Sequence, residues 1–466
     1  MLYHDMTIEA SAATLERTPD KRRVGSFSVR VLASPAGEMR PEDAAAVTYD
    51  DKALQLGLQQ LESRALDHAA MVALGRLLAS LLLPPKASGA AAGVGDLLAE
   101  SLLAIGPNAG LRLRLRLPPQ LAALPWEYLY VERAGGGDGM DGFLALDPRV
   151  AIVRHEPLPA PGSLPPARAP LKLVAALASA EGLPPLDLAQ EQANLAQAFA
   201  GQPGIAPTFL ADATLDALLA ALPGTAIFHF AGHATFERQM ADLPGTYAGV
   251  GKLALDDQAV DAEQLGINLR GNGVRLAVLG GCETGRRDGV NVWSGVAPAL
   301  VKQQLPAVVA NQLSVRDSCA IAFSAHFYGA LVGGLPIEQA LAAGRLAAYN
   351  ADPQGRDWGA PVLYMRDADG LLFAADDPGL REQSARAAQA VLDIRVGELA
   401  AGGHVVGPKG TVKAGALSST ITVGSAAGST IDAAHLNVSG GTVSIAVHVD
   451  QASGGTTIEG GEITLG

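Results

Sequence analysis

Between residues 171 and 349 the chain alternates short apolar runs with stretches of helical periodicity, and this pattern admits few folds. Residues 171–177, 226–230, 274–279 and 307–312 read as strands with almost no polar alternation. Residues 187–200, 214–222, 293–304, 318–332 and 337–349 place apolar side chains at helical spacing. A strand without a polar face must be covered on both sides, and the intervening helices supply the cover. The predicted fold class is therefore α/β, a mainly parallel sheet with helices on both faces. In such sheets chemistry gathers just beyond the carboxyl ends of the strands.

The remaining sequence divides around that core. Residues 1–23 are polar and irregular and read as a flexible N-terminal arm. Residues 24–154 read as an N-terminal subdomain. FSVRVLAS from Phe27 alternates as a half-buried strand does, and residues 51–83 carry helical spacing that Pro84 and Pro85 end. LRLRLRL from Leu111 puts leucines on one face and arginines on the other, and the arginine face reads as solvated. Residues 155–170 hold six prolines and read as a connector to the main domain, residues 171–375. Residues 376–400 read as a helical linker. Residues 401–466 are short β-type runs punctuated by Gly, Ser and Thr, with Thr420-Ile421 and Thr430-Ile431 ten residues apart. They read as a small β-solenoid or an assembly module, or as a segment that orders only on assembly.

Charge and cysteine content narrow the function. Lys and Arg total 34 against 47 Asp and Glu, and a net charge of −13 argues against nucleic acid or an anionic membrane as partner. Two cysteines, Cys282 and Cys319, exclude a disulfide framework and a Cys-rich zinc site, and suit a reducing compartment. The N-terminus lacks the apolar core of a secretory signal, and the most apolar helical stretch, residues 69–83, is broken by Arg76 and too short to span a bilayer. The expectation is a cytoplasmic protein with no membrane insertion, metal or cofactor. GGGDG at residues 135–139 lacks the GK[ST] of a phosphate loop, and Asp256, Asp257 and Asp261 match no calcium loop.

Two strand ends carry the candidate chemistry. AIFHF runs into AGHATFE, which puts His233 just beyond the carboxyl end of its strand; RLAVLG runs into GCETG, which puts Cys282 in the equivalent place. A thiolate is a strong nucleophile, and an imidazole within reach can protonate a leaving amine. Gly232, Gly280, Gly281 and Gly285 leave room for a substrate backbone. A cysteine peptidase needs this arrangement. Cys319, in the apolar helical context DSCAIAFSAHF, reads as core, and His326 as a helix-face residue.

HFAGHA, GGCETGRRDG, ANQLSVRD and AFSAHFYGALVGGLPIEQALAAGRLAAY, with LPWEYLY, GFLALDPRVAIVRHEPLP and LVAALASAEGLPPLDLAQEQ upstream, resemble the CHAT family of caspase-like cysteine peptidases, relatives of separase. The resemblance covers residues 24–373. It implies a caspase-like sheet preceded by a degenerate caspase-like subdomain, with His233 as catalytic histidine, Cys282 as nucleophile and His229 in a supporting role. It also implies an oxyanion hole from the amides of Cys282 and Ala234, where the family usually has glycine. Asp317 falls where separase-like enzymes place an acid that pairs with arginine; it reads equally as a helix N-cap. The tryptophan usual in this segment is replaced around Gln312 and Leu313.

The function this implies is a cysteine endopeptidase that cuts a partner protein, after a basic residue, in bacterial antiviral defence and regulated cell death. A gasdermin-like pore former is the type of substrate the resemblance suggests, and the C-terminal module would sense, recruit or self-assemble. The alternative is a catalytically inactive caspase-like scaffold assembling through that module, which Ala234 and the altered NQLSV segment favour. A cysteine hydrolase acting on small molecules ranks third.

Overall fold

The computed structural model describes the chain apart from residues 21, 87, 133–138, 157, 159–164, 181, 182, 184, 185, 201, 203, 241–246, 281–292, 367–369, 375–390, 400–403, 407, 408, 413–415, 428, 429, 433, 434, 439–441, 454–456, 460, 461 and 466. The chain forms two units, residues 1–332 with 336–374, and residues 333–335 with 375–466. Among the described residues no helix is long and apolar enough to cross a membrane.

The first unit begins with strands β1 (Leu2–Ala10), β2 (Thr14–Arg17), β3 (Arg23–Ala33) and β4 (Ala45–Asp50), then helices α1 (Asp51–Glu62), α2 (His68–Leu82) and α3 (Val94–Ile105). β5 (Ala109–Arg116), the short helix α4 (Pro119–Ala122) and β6 (Val150–Arg154) follow. The later half runs β7 (Ala167–Arg168), β8 (Leu171–Leu177), α5 (Leu188–Phe199), β9 (Ile205–Leu210), α6 (Leu215–Ala221), β10 (Ile227–Ala231), β11 (Ala234–Met240), β12 (Tyr247–Ala254), β13 (Ala259–Asp261), α7 (Ala262–Gly271) and β14 (Leu276–Gly280). It closes with α8 (Trp293–Lys302), β15 (Ala307–Asn311), α9 (Asp317–Val332), α10 (Ile337–Ala351), β16 (Pro361–Met365) and β17 (Phe373–Ala374). Helix starts are set by local chemistry: the side chains of Asp50, Asp67, Asp187 and Thr214 each accept a first-turn backbone N–H.

One twelve-stranded sheet runs through the unit in the order β2-β3-β1-β5-β6-β16-β15-β14-β10-β8-β9, with β4 on β3. Pairing is parallel except around β3 and between β15 and β16, so the fold is α/β with a mixed, mostly parallel sheet. Even where the strands look uniformly apolar, the two faces differ. Phe228, Phe230, Ala277, Leu279, Val308 and Ala310 pack with Leu218, Leu265 and Leu300 of α6, α7 and α8. The alternate residue His229 meets Tyr328 of α9 on the opposite face.

Several expectations are revised. Residues 2–10 are no flexible arm: β1 pairs with β3 and β5, and Met6 and Ile8 are fully buried. Asp5, Thr7 and Glu9 alternate with Met6, Ile8 and Ala10, a period-two pattern that the polar residues on either side of it obscure. The halves on either side of residues 155–170 are not separate bodies, since β16 hydrogen-bonds to β6 and completes the sheet across them. LPWEYLY belongs to that seam. The Tyr128 hydroxyl donates to the Arg356 carbonyl (2.6 Å), and Tyr128 and Phe143 each stack 5.0 Å from Trp358.

The arginine stripe is not solvated either. Arg112 and Arg114 are 1% and 7% exposed. Arg112 donates Nε to Oε1 of the buried Glu338 (2.6 Å) and Nη1 to Asp5 (2.9 Å), and Arg114 Nε lies 2.9 Å from Asp5. The carboxylates that make burial tolerable come from the neighbouring strand and from a helix 226 residues later.

In the second unit three parallel sheets of three strands each stack in step. β18 (Val391–Leu399), β19 (His404–Val406) and β20 (Lys409–Val412) lie beside β21 (Ala416–Ala427), β22 (Thr430–Asp432) and β23 (His435–Val438). The latter three lie beside β24 (Thr442–Ser453), β25 (Thr457–Glu459) and β26 (Glu462–Leu465). Ala416 stands opposite Thr442 and His435 opposite Glu462, a coil of 26 to 27 residues. This is the geometry of a three-coil β-solenoid. Residues 391–399 are therefore a strand of the first coil, not part of a helical linker, since VLDIRV alternates with period two.

The buried Arg112–Glu338 pair gives a stability prediction. Glu338→Ala leaves a guanidinium buried beside only one carboxylate and should cost about 3–5 kcal/mol. Arg112→Met combined with Glu338→Leu should cost much less than the single change. Denaturant midpoints of the full chain check this; a double variant that loses as much as Glu338→Ala or more would mean that the stranded guanidinium is not what the single change costs.

Candidate active site

The site is built on the adjacent parallel strands β10 and β14. Their register sets Ala231 opposite Gly280, the last residue of each strand. His233 stands two residues beyond Ala231 and is 4% exposed. Its position is fixed by backbone contacts: the amide of Ala254 donates to the His233 carbonyl (2.9 Å), and the amide of Ala178 donates to the Ala231 carbonyl (3.0 Å). Gly232 between them has no space for a side chain, since a Cβ there would lie 2.9 Å from the Ala178 carbonyl oxygen and 2.6 Å from the Phe230 ring. Ala234 opens β11, paired with Leu253, and is buried. Cys282, two residues beyond Gly280, lies outside the described residues, so the dyad and the oxyanion hole expected from Cys282 and Ala234 are not described as geometry.

Beside β10 the structure gathers groups that the sequence did not connect. His229 Nδ1 and the Tyr328 hydroxyl share a 2.8 Å hydrogen bond. Burial pushes His229 down to about 4, so its ring is neutral at physiological pH, and burial pushes the Tyr328 phenol up. Among the described residues His229 Nε2 is buried without a hydrogen-bond partner, and it lies 4.0 Å from Glu191 Oε1. A Cβ on Gly280 would sit 3.6 Å from that same nitrogen, which places His229 against the exit of β14.

Glu191 and Asn194 share one face of α5. Asn194, which is buried, accepts from Gln190 and donates Nδ2 to Asp317 Oδ1 (3.2 Å). The Glu191 carboxyl is raised above the usual carboxylate range, first by burial and then by the charge of Asp317. Asp317 is the first residue of α9, and the residue before it acts as the cap, because the amide of Ala320 donates to the Arg316 carbonyl (2.9 Å). Two acids, an amide and an imidazole nitrogen therefore meet beside the strand exits. Such a lining favours a cation.

Other candidates resolve as structural. Cys319 is buried, donates to the Ala348 carbonyl at 3.6 Å, and has its thiol pushed up to about 11 by burial, so it stays protonated and unreactive. It lies near Asp352 and Asp357, with ligand-type atoms within 4.8 Å of one another. Arg316 and Arg64 already pair with those two carboxylates, so the trio is an ion-pair cluster. His326 bonds within its own helix to Ala322. Asp256 and Asp257 accept from the backbone amides of Ser179 and Leu215, both at 3.1 Å, and Asp261 precedes α7. Residues 135–138 of the glycine-rich turn lie outside the described residues.

Sequence reasoning missed Glu191, Asn194 and Tyr328. The available signal was the pairing of Glu191 with Asn194 one turn apart in an otherwise alanine- and glutamine-rich helix.

Known proteins bear on this geometry. Two structures of the Saccharomyces cerevisiae separase–securin complex are similar to the chain, one at 11% identity and TM-score 0.40, the other at 10% and 0.38. Each covers 78% of this chain and 30% of the matched chain, so the protein spans less than a third of that relative's length. No curated protein matches the chain. A family model described as the CHAT domain matches residues 72–366, from α2 through β16. That match takes in His233, Cys282, Glu191 and Asp317, and the chain belongs to the CHAT domain family.

Proposed function

We propose that the protein is a cysteine endopeptidase that cuts a partner protein after a basic residue. The observation that carries this reading is the register of β10 and β14. Ala231 and Gly280 are neighbours across the ladder, and His233 and Cys282 each follow two residues later. Neighbouring strands stand about 4.8 Å apart, so chains leaving at equal height can bring an imidazole to a thiol. In this reading Cys282 attacks the scissile carbonyl and His233 takes the thiol proton and returns it to the leaving amine. The amides of Cys282 and Ala234 hold the oxyanion.

Asp317, Glu191 and Asn194 supply the specificity for a guanidinium or ammonium side chain at the cleavage position. The setting we propose is bacterial defence and regulated cell death in the cytoplasm, with a gasdermin-like pore former as substrate and the C-terminal solenoid as the element that assembles copies or senses a partner. The Ala234 methyl, at a position next to the catalytic histidine, favours one second reading: an inactive scaffold.

Cys282→Ala should abolish cleavage of peptide substrates and any self-cleavage, with the unfolding temperature unchanged. An electrophilic probe bearing arginine at the cleavage position should label the wild-type chain at Cys282. Full activity in the variant would overturn the mechanism, and a folded wild-type chain that neither cleaves nor labels would establish the scaffold.

Glu191→Gln and Asp317→Asn should each lower kcat/KM for arginine substrates by about 10- to 100-fold, the value of one charge-assisted hydrogen bond. The pH dependence follows from the raised Glu191 carboxyl. It gains a proton at a higher pH than an ordinary glutamate, so affinity for benzamidine should fall on acidification through that range and recover above it. The groups facing it are Asp317, which is acidic, and His229, which stays neutral. Glu191→Gln should remove that limb; an unchanged pH profile would take Glu191 out of the pocket.

A further inference from the structure

The segment that carries Asp317 is held from the other half of the molecule. Residues 312–316 leave β15 and lead into α9, and three of them are anchored. Gln312 donates Nε2 to buried Glu127 (2.9 Å) and to the Gly359 carbonyl (3.1 Å), while its amide donates to the Ala360 carbonyl (2.9 Å). The Ser314 carbonyl accepts from Arg64 Nη2 (3.0 Å). The Arg316 amide donates to Asp357 Oδ2 (2.9 Å), and the other oxygen of that buried carboxylate accepts from Arg64 Nη1 (2.7 Å). Arg64 thus grips the segment twice, directly at Ser314 and through Asp357 at Arg316.

The backbone of Arg64 makes this grip unusual. Helix α1 ends in a paired turn in which the Arg64 amide donates to Leu61 (3.3 Å) and the Ala65 amide to Gln60 (2.9 Å). This closure needs a left-handed residue at position 64, which is normally glycine. Arg64 takes it with φ 58°. A side chain kept where glycine is the unstrained choice calls for a role, and its contacts supply one. Arg356 adds a strap between the same partners, with Nη2 3.2 Å from both the Glu62 carbonyl and the Ser314 hydroxyl.

We infer that Arg64 is a positioning residue for the substrate pocket: the connection between α1 and α2 latches the segment 312–316 so that Asp317 stays facing Glu191. This rests on the proposed proteolysis after basic residues. It makes the N-terminal half a control point, since anything that pulls the α1–α2 connection away loosens the pocket without touching His233 or Cys282.

Arg64→Gly tests this in the full chain, because glycine relieves the left-handed backbone while removing the grip. The expected result is a folded chain with a lowered unfolding temperature, since the buried Asp357 loses its guanidinium and relief of the backbone offsets only part of that. Amide hydrogen exchange at residues 313–317 should be faster by about tenfold or more, beyond any change in the rest of the sheet. For an arginine peptide KM should rise by about tenfold while kcat changes less than about threefold, the mark of lost binding rather than lost chemistry. Arg64→Lys, which keeps the charge and loses the fork, should fall between the two. Unchanged exchange in residues 313–317, or a fall in kcat at constant KM, would overturn the latch. Should the wild-type chain fail to cleave or label, proteolysis is wrong, and the exchange measurement still decides whether Arg64 holds the segment.

Discussion

Arginines and carboxylates that meet across the seam between β6 and β16 hold the first unit together. Arg112 of β5 reaches Glu338 of α10, Arg64 reaches Asp357, and Glu127 receives both Arg154 and Gln312. The Arg112, Arg64 and Gln312 contacts join the first 155 residues to the region after 310, Arg154 holds Glu127 in place from within the first half, and most of the groups are buried. Buried pairs add little net stability over an apolar core, but a mispaired arrangement strands a charge, so they fix register. The planar guanidinium suits this role because it satisfies two partners in one geometry, as Arg112 does with Asp5 and Glu338. The same seam that completes the sheet ends at residues 312–317. Residues 312–316 inherit their shape from the joint between halves.

How much of this was legible depends on whether the deciding partner is near in sequence. The strands from Leu171 onward were readable because a continuous apolar run carries its own instruction to be buried. The place of His233 just beyond its strand was readable because a continuous apolar run ends in Gly232 beside it. The arginines of LRLRLRL were misread for the opposite reason: period two shows that they share a face, yet the carboxylate that covers that face sits on α10, in a helix whose sequence IEQALAAGRLAAY gives no sign of it. β1 was lost likewise, because a strand with Asp5, Thr7 and Glu9 on one side looks like a polar arm until β5 and β3 are placed on either edge.

The cluster of Asp317, Glu191 and Asn194 shows the same limit at smaller scale. Asp317 was visible as an acid after a strand, with two readings left open. The structure connects it to Glu191 and Asn194, polar residues of an amphipathic helix that would ordinarily be a solvated face. What marks Glu191 is the cost of its position: burial first, and then the charge of Asp317, raise its proton affinity.

In the C-terminal unit the sequence showed repetition but with the wrong period. Thr420-Ile421 and Thr430-Ile431 are ten residues apart because they belong to β21 and β22, successive strands of one coil. The structural repeat is the step between coils, in which Ile421 stands opposite Val447 and Ile431 opposite Ile458. Gly-, Ser- and Thr-rich sequence between the short strands masks such a repeat, because the spacing between coils varies by a residue while the ladder stays in register. The pairs 391 to 418 and 416 to 442 differ by that one residue. A solenoid tolerates this, since each coil needs to match only its neighbours and errors do not accumulate along the stack. The loose period that looked like weak evidence for a fold is what a nearest-neighbour architecture permits.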